Sequence, residues 1–271
     1  MSSKIIKYFG GKGGVFVNKL LPYLPSRSIY IEPFGGSATI LLAQKTNIEI
    51  YNDVFQNVYS LFRVLSDKAL FYEFRDKLEL MYYSEQIRSD MKLSLRNKEL
   101  SYIDRALAYF YVNRTSFNGV GGFSSNVSVR RGISKSVSDY LSAIEGLEEF
   151  HQRLSNVIIR NTDGLQLIQE YDCKDSFFYL DPPYHHSTRT VARYECDMSN
   201  EQHESLLKIL LTCESKVLLS GYDCAVYDVL VENGWHKEIF EVKTVSGNRK
   251  PKTKQETIWY NYPKPQHTLF V

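Results

Sequence analysis

The sequence has little of what marks a secreted or membrane-bound protein. Its 271 residues include four cysteines, which are well separated and form no C-x-x-C pair: Cys173, Cys196, Cys213 and Cys224. Such a pattern favours reduced thiols over a disulfide framework. No apolar run reaches the roughly 20 residues that a membrane-spanning helix needs, and the Met-Ser-Ser-Lys start lacks a signal-peptide pattern. We therefore expect a cytoplasmic protein without a membrane anchor.

Metal ligands at a recognisable spacing and a strong net charge are also missing. The six histidines include the pair His185 and His186, but no cysteine or second acid stands nearby at zinc-binding spacing, so no metal site is expected. The formal net charge is only +2, which by itself identifies no class of partner. We find no internal repeat and no low-complexity linker.

What the chain does have is a globular composition rich in aromatic side chains. Hydrophobic residues make up 43% and charged residues 24% of the sequence, which is enough apolar material for a sizeable core. The length suits one α/β domain with an inserted subdomain. Aromatic residues reach 14% and suit stacking surfaces, although core packing accounts for most of them.

The most informative stretch is an apolar strand pattern, Ser176 to Leu180, that runs into Asp181, Pro182, Pro183 and Tyr184. Each proline fixes φ and lacks an N–H, so the strand must end at Asp181 and continue as a rigid loop. Open α/β sheets bind ligands at the carboxyl ends of their strands. A carboxylate, a backbone carbonyl and an aromatic face would there suit an exocyclic amine on a planar heterocycle. The alternative is an ordinary turn.

Two glycine-rich segments precede this stretch. The first, residues 7–14, lets the backbone approach an anion or cofactor closely, but it lacks the Walker A spacing, and a flexible start is the simpler interpretation. The second, residues 33–38, joins a predicted strand at Ser28–Glu32 to a predicted helix at Thr39–Ala43. Strand, glycine turn and helix form the first unit of a nucleotide-binding sheet. Without a full G-x-G-x-x-G motif, a dinucleotide is not expected.

A second predicted strand, Ile48–Tyr51, ends in Asn52 and Asp53. An acid at this position is well placed to bind ribose hydroxyls. It would equally serve as the N-cap of the predicted helix Val54–Leu65, and the two roles are compatible.

Residues from about Ser66 to Phe150 interrupt the alternation of strands and helices. Helical patterns cover Asp67–Leu80 and Tyr102–Val112, whereas residues 82–100 are polar with mixed charge. Then follow the segment Asn-Arg-Thr-Ser-Phe-Asn-Gly at 113–119 and a Gly/Ser-rich loop with two arginines at 130 and 131. We interpret this region as a helical insertion with a partly basic loop; the alternative is a solvated lid without a specific partner.

The alternation returns after residue 156. The predicted elements are a strand at Val157–Arg160, a helix from Asp163 to Tyr171, a helix at Asn200–Thr212, a strand at Lys216–Ser220, a helix at Ala225–Glu232 and a hairpin of Trp235–Val245 with Thr257–Tyr262. The basic connection at 246–254 would either contact phosphates or remain a solvated loop.

Five motifs occur in one order: residues 7–12, 32–37, 52–53, 113–119 and 181–184. Together they resemble the D12 class of DNA N6-adenine methyltransferases, the Dam-type enzymes of bacteria and phages. The resemblance covers nearly the whole chain and is weakest at 80–100 and 120–150. It implies an α/β, Rossmann-like, S-adenosylmethionine-dependent methyltransferase sheet with a helical target-recognition insertion. Residues 1–66 and 151–271 would form the catalytic domain, and residues 67–150 the insertion.

The resemblance also implies roles for individual residues. The catalytic loop would be Asp181, Pro182, Pro183 and Tyr184; Asp181 and the Pro182 carbonyl would hold N6 of a flipped adenine stacked on Tyr184. The residues expected to contact S-adenosylmethionine are Tyr8, Lys12, Glu32, Phe34, Gly35, Gly36, Asp53, Asp163 and Asp181. Those expected to contact double-stranded DNA are Lys7, Arg114, Asn118, Arg130 and Arg131. No metal is implied, and we expect a monomer that acts on nucleoid DNA.

Some features depart from the family pattern or leave alternatives open. Tyr8 stands where many relatives carry tryptophan, and the short, serine-rich segment after Gly119 argues against a GATC target. An N4-cytosine, an RNA adenine or a protein glutamine amide also presents an –NH2 group, although Asp rather than Ser or Asn at 181 favours adenine. A catalytically silent DNA-binding regulator is another alternative, and the intact Asp181, Asp53 and Lys12 argue against it.

Overall fold

The computed structural model describes residues 5–7, 14–119, 121–184, 197–244 and 252–265. The helices in these ranges are α1 (Gly14–Leu20), α2 (Thr39–Ala43), α3 (Gln56–Ser66), α4 (Lys68–Glu79), α5 (Glu85–Ser94), α6 (Tyr102–Thr115), α7 (Lys135–Glu145), α8 (Leu147–Leu154), α9 (Gly164–Glu170), α10 (Asn200–Leu210) and α11 (Asp228–Glu232). The strands are β1 (Ile29–Glu32), β2 (Ile48–Asn52), β3 (Val129–Arg130), β4 (Ile133–Ser134), β5 (Ile158–Arg160), β6 (Ser176–Leu180), β7 (Lys216–Gly221), β8 (His236–Thr244) and β9 (Lys252–Tyr260). Within the described ranges, none of the helices has both the length and the apolar character that a bilayer crossing requires.

A mostly parallel sheet dominates the fold, which confirms the predicted α/β class. Its seven strands lie in the order β5-β2-β1-β6-β7-β9-β8. β1 pairs in parallel with β2 and with β6, and β6 pairs in parallel with β7. β9 is antiparallel to both β7 and β8. The predicted carboxyl-end position of the Asp181 loop therefore holds, because that loop follows β6 in the middle of the sheet.

The central strands β6 and β7 are mostly apolar, and nearly all of their residues are buried. All five residues of β6 are buried, and Phe178 lies between Ile31 of β1 and Val217 of β7 in the sheet register. Leu219 of β7 is paired with the fully buried Trp259 of β9. Such continuous apolar runs are what a strand buried on both sides requires, and they fix the register of the strands that carry the site.

Backbone contacts divide the chain into two compact units. The first comprises Met1–Gly11, Gly36–Ala43 and Phe55–Asn161, and the second Lys12–Gly35, Gln44–Val54 and Thr162–Val271, as far as these ranges are described. The predicted insertion, 67–150, lies within the first unit, which also takes in α3, α8 and β5. This division rests on backbone contacts and not on contacts with DNA, so residues 67–150 remain a predicted recognition subdomain.

The insertion contains helices that periodicity alone did not indicate. α4 and α6 confirm the two predicted helices, whereas α5 lies in the polar stretch and α7 follows the Gly/Ser-rich loop. α5 begins after Ser84, whose hydroxyl accepts a hydrogen bond from the N–H of Ile87. It is anchored by the buried Arg88, which donates to the hydroxyl of Ser116 and to the carbonyl of Gly121. The helix was not predicted because its buried residue, Arg88, is charged, and the sequence of α5 therefore shows no apolar face.

The carboxyl-terminal hairpin is longer than predicted. β9 begins at Lys252 rather than at Thr257, and its first residues continue the pairing, with Thr244 opposite Lys252 and Glu241 opposite Gln255. The prediction that residues 252–254 form part of a loop was therefore wrong. Lysine and threonine on one strand are compatible with pairing to β8, and cross-strand hydrogen bonds rather than local composition set the end of the strand.

Candidate active site

The catalytic loop is tied to the neighbouring strand β7. Asp181 follows Leu180, which lies opposite Leu219, so the next residue of β7, Ser220, stands beside the start of the loop. The Ser220 hydroxyl lies 3.1 Å from Asp181 Oδ1, to which it donates a hydrogen bond. Asp181 is half-buried and Pro182 is buried. The carboxylate is therefore held by a side chain from β7 as well as by its own rigid loop.

A buried tyrosine, Tyr179, contacts the serine of the Ser220–Asp181 pair. The hydroxyl of Tyr179 is 3.1 Å from the Ser220 hydroxyl, and its side chain is buried in the sheet. Desolvation, followed by the negative charge of Asp181, raises the pKa of Tyr179 well above its ordinary value. Tyr179 therefore stays protonated and supplies a hydrogen-bonding hydroxyl below the catalytic loop.

The aromatic ring of the loop is held from two sides. Tyr184 is 7% exposed, and its hydroxyl donates to Glu256 Oε2 of β9 over 3.1 Å. Tyr222, which follows β7, meets the Tyr184 ring edge-on with 4.5 Å between centroids and 62° between planes. The sequence predicted Tyr184 but neither partner. Tyr222 lies in the segment that ends β7, whereas nothing in the sequence signals Glu256.

The carboxyl ends of β1 and β2 and the segment after β5 are joined by one side chain. Asn52 is fully buried, and its Nδ2 donates to the carbonyls of Pro33, at 2.8 Å, and Thr162, at 3.0 Å. Its Oδ1 accepts from the N–H of Thr162 at 2.9 Å. The backbone carbonyl of Asn52 accepts from the N–H of Gly35 at 2.8 Å. Every group of this amide thus fixes a loop at the end of the sheet where the predicted cofactor residues lie.

The glycine loop has a packing reason for its small residues. A Cβ on Gly35 would lie 2.2 Å from the ring of Tyr51, and a Cβ on Gly164 would lie 2.6 Å from the ring of Phe34. Gly36 has a φ of 50°, in the left-handed region that glycine favours. The loop therefore follows β2 closely and places the Phe34 ring over the start of α9.

The predicted cofactor acids have different surroundings. Glu32 is 1% exposed and accepts a hydrogen bond from the Tyr30 hydroxyl at 2.6 Å. Asp53 is 7% exposed. The N-cap position of α3 belongs to Phe55, because the helix begins at Gln56, so the alternative that Asp53 is the N-cap residue of a helix starting at Val54 was wrong. Asp163 does cap α9, because its Oδ1 accepts from the N–H groups of Leu165 and Gln166. Tyr8 and Lys12 lie outside the described residues.

Lys7 closes the end of α6. Its Nζ donates to the carbonyls of Arg114 and Ser116, both at 3.1 Å. Its backbone N–H and carbonyl pair with the side-chain amide of Asn113, both at 2.8 Å. Desolvation, together with the nearby charge of Arg114, lowers the pKa of Lys7. The ammonium group of Lys7, which is predicted to contact DNA, thus binds two backbone carbonyls at the end of α6 in this structure.

The remaining predicted DNA contacts differ in exposure. Arg114 is half-buried, its guanidinium lies 5.8 Å from the centroid of the Phe110 ring, and desolvation lowers its pKa to about 10. Arg130 and Arg131 are exposed on the β3–β4 hairpin and form ion pairs with acids of α7, namely Asp139 and Glu145. Asn118 lies in the short 3-10 turn Phe117–Gly119.

Metal ligands do not gather in the described part of the chain: no group of three or more His, Cys, Asp or Glu side chains there has a geometry that could hold an ion. His185, His186 and Cys196 lie outside the described residues. The described cysteines, Cys173, Cys213 and Cys224, are free thiols.

Comparison with known proteins identifies the family. The family model of D12 class N6 adenine-specific DNA methyltransferases matches residues 8–247. The chain therefore belongs to the D12 class of N6 adenine-specific DNA methyltransferases, which confirms the resemblance inferred from the five motifs. It is an adenine-specific DNA methyltransferase.

Individual relatives are similar over most of their length. Type II methyltransferase M.CviBI of Paramecium bursaria Chlorella virus NC1A is 27% identical over 261 residues, which are 90% of this chain and 93% of that protein. The retron Ec67 DNA adenine methylase of Escherichia coli is 24% identical over 251 residues, or 88% of this chain and 83% of that protein. The DNA adenine methylase of Escherichia coli K12 is 22% identical over 227 residues, with 80% of each chain covered.

Proposed function

We propose that this enzyme transfers a methyl group from S-adenosylmethionine to N6 of an adenine flipped out of a specific sequence in double-stranded DNA. The observation that carries the proposal is the Asp181 loop at the carboxyl end of β6, braced by the 3.1 Å hydrogen bond from Ser220 to Asp181. Methyl transfer to an exocyclic amine needs two acceptors for its hydrogens and a flat surface for its ring. Asp181, the carbonyl of Pro182 and the ring of Tyr184 supply these groups in one short loop.

The residues at the ends of β1 and β2 fit the cofactor by their chemistry. S-adenosylmethionine carries a ribose diol, a cationic sulfonium and an amino acid end, and when bound it supplies the electrophilic methyl group. Asp53 is the acceptor for the ribose hydroxyls, and Phe34, Gly35 and Gly36 line the methionine end. Glu32 and Asp163 add negative charge in the same part of the sheet. Tyr8 and Lys12 complete the predicted set.

The chain's own residues prepare the adenine amine for attack. Asp181 and the Pro182 carbonyl accept the two hydrogens of N6, which turns its lone pair out of the ring plane. A carboxylate has acceptor sites on both oxygens, so the hydrogen bond from Ser220 is compatible with one from N6. Pro183 keeps the loop rigid, and Tyr184 stacks on the flipped ring, which offsets part of the unstacking cost. The gain comes from positioning and electrostatics.

DNA recognition is assigned to the insertion, residues 67–150, together with Lys7. Arg130 and Arg131 are exposed, and each forms a surface ion pair with an acid of α7. Such a pair contributes on the order of 0–1 kcal/mol to stability. Replacing the acid by a DNA phosphate therefore costs little free energy. Arg114 and Asn118 are also assigned to DNA recognition, because both belong to the 113–119 motif. We propose that the enzyme acts as a monomer on DNA in the cytoplasm.

The test is single-base sequencing of DNA from cells that express the wild type or Asp181→Ala. N6-methyladenine confined to one short motif, present with the wild type and absent with the variant, is the expected result. Modification at cytosine N4, or none on DNA with transfer to RNA, would contradict the proposal.

A further inference from the structure

We infer that Glu256 is a positioning residue that orients the Tyr184 ring for stacking on the target base. The inference rests on the proposed function, because it concerns the same loop, and it adds a residue that no motif contains. The family match ends at residue 247, so Glu256 lies beyond the region that defines the class. It reaches the loop only because β9 returns next to β7.

The register of the sheet places Glu256 at the catalytic end. β9 is antiparallel to β7, and Thr257 lies opposite Gly221, the last residue of β7. Glu256 is therefore one residue past the end of β7, on the side toward which β6 and β7 run. Its half-buried side chain brings Oε2 to 3.1 Å from the Tyr184 hydroxyl.

Two contacts together fix the plane of the ring. The hydroxyl end of Tyr184 donates to the Glu256 carboxylate, and the ring of Tyr222 packs against the Tyr184 ring in a T-shaped arrangement with centroids 4.5 Å apart. A hydrogen bond with an ionised partner is roughly twice as strong as a neutral one. The Tyr184 side chain rotates about two bonds, so an anchor at its far end removes most of its remaining freedom. A stacking surface fixed in advance lowers the entropy cost of holding the base.

The experiment is a double-mutant cycle measured by single-turnover transfer of tritium from S-[methyl-3H]adenosylmethionine to plasmid DNA. The proteins are the wild type, Glu256→Ala, Tyr184→Phe and the double variant. Glu256→Ala and Tyr184→Phe are each expected to slow transfer about tenfold, as loss of one orienting contact does. The double variant is expected to be no slower than either single variant, because the carboxylate acts through the phenol. Calorimetry should give an unchanged cofactor affinity for all four proteins.

A matched control lies in the same hairpin. Glu238 of β8 also accepts a hydrogen bond from a tyrosine, Tyr260, at 3.4 Å, but its partner belongs to no catalytic loop. Glu238→Ala should transfer methyl groups at the wild-type rate. If Glu256→Ala does not fold, the same cycle is run with Glu256→Gln, which keeps an acceptor but loses the charge. That variant should slow transfer about threefold with Tyr184 present, and not at all in the Tyr184→Phe background.

The outcomes separate the two proposals. A wild type that methylates, with Glu256→Ala and Glu256→Gln equally fast, overturns the role of Glu256 and leaves the proposed function intact. Rate losses that multiply in the double variant also overturn it, because Glu256 then acts independently of the phenol. A wild type that transfers no methyl group to DNA overturns the proposed function, and the role of Glu256 falls with it.

Discussion

The hydroxyl of Ser220 donates a hydrogen bond to Asp181 Oδ1 over 3.1 Å, between residues 39 positions apart in the chain. The contact exists because β6 and β7 are parallel neighbours with Leu180 opposite Leu219. Asp181, just after β6, and Ser220, near the end of β7, therefore lie side by side at the carboxyl end of the two strands. The bond fixes one oxygen of the acid that is proposed to accept a hydrogen from the adenine amine.

Ser220→Ala is expected to slow methyl transfer about tenfold, because an orienting hydrogen bond to the acid is lost. Cofactor affinity should change less than the transfer rate, since Ser220 supports Asp181, whereas the other acids predicted to contact the cofactor lie at the ends of β1, β2 and β5. Single-turnover kinetics and calorimetry measure the two quantities. Ser176→Ala is the control: this buried serine of β6 donates to the Tyr171 carbonyl at the amino end of the strand, so its loss should affect stability alone. Equal rates for Ser220→Ala and wild type would contradict the prediction.

Asn52→Asp keeps the shape of the side chain but removes both Nδ2 donors. The carbonyls of Pro33 and Thr162 then lose their partners and face a carboxylate, which should cost about 1–3 kcal/mol of unfolding free energy. Because these carbonyls belong to the loops proposed to hold the cofactor, its dissociation constant should rise about tenfold. Denaturant titration and calorimetry measure the two effects.

Asn261→Asp provides the matched control for Asn52→Asp. The Asn261 side chain accepts from the N–H of Val217 and donates to the carbonyl of Ser215, so it braces the opposite, amino-terminal end of β7. This variant should lose stability without losing cofactor affinity. If both variants weakened the cofactor equally, Asn52 would have only a general structural role.

Gly35→Ala should destabilise the fold by about 1–3 kcal/mol, the usual cost of overpacking. The new Cβ would lie 2.2 Å from the Tyr51 ring, and that ring is fully buried. Gly122→Ala is the control, since a Cβ there meets nothing within 4 Å. Urea denaturation compares the two variants; equal stability would mean that the Tyr51 ring moves aside freely.

Arg131→Ala should weaken DNA binding at low salt and make the salt slope of log K shallower by about one. Cofactor affinity should not change. Fluorescence anisotropy over a range of salt concentrations measures the slope. Lys264→Ala is the control, because this exposed cation is also paired with an acid, Glu238, but lies outside residues 67–150. If the salt slope of log K for Arg131→Ala equals that of the wild type, Arg131 does not contact a DNA phosphate.

The thiol of Cys213 should make stability depend on alkaline pH. Desolvation first, and then the charge of Asp172, raises the pKa of Cys213 to about 11. An acid whose pKa is raised on folding stabilises the protein fully below its unfolded pKa, and this contribution is lost as pH rises through the folded value. The free energy of unfolding should therefore fall between about pH 9 and 11. In Cys213→Ala the fall should be shallower, as denaturant titration at each pH would show.

The sequence by itself determined the chemistry of the loop and the class of the fold. Two prolines after an apolar strand end that strand wherever it lies, so Asp181 and Tyr184 were fixed at a strand end by local sterics. The order of the motifs likewise identified the family. Local patterns also predicted β1, β2, β6 and β7, because β6 and β7 are nearly continuous apolar runs, and β1 and β2 are rich in isoleucine and tyrosine, which favour strands.

Only the tertiary structure decided which side chains support that loop. Tyr184 and Glu256 are 72 positions apart, and Asn52 and Thr162 are 110 apart. Such contacts depend on strand order and register, which arise from packing over the whole sheet rather than from any local pattern. For the same reason, the buried guanidinium of Arg88 that anchors α5 looked like surface charge in the sequence. The partner of a buried polar side chain cannot be identified from the sequence, because the packing of the apolar residues around it determines which groups come within hydrogen-bonding distance.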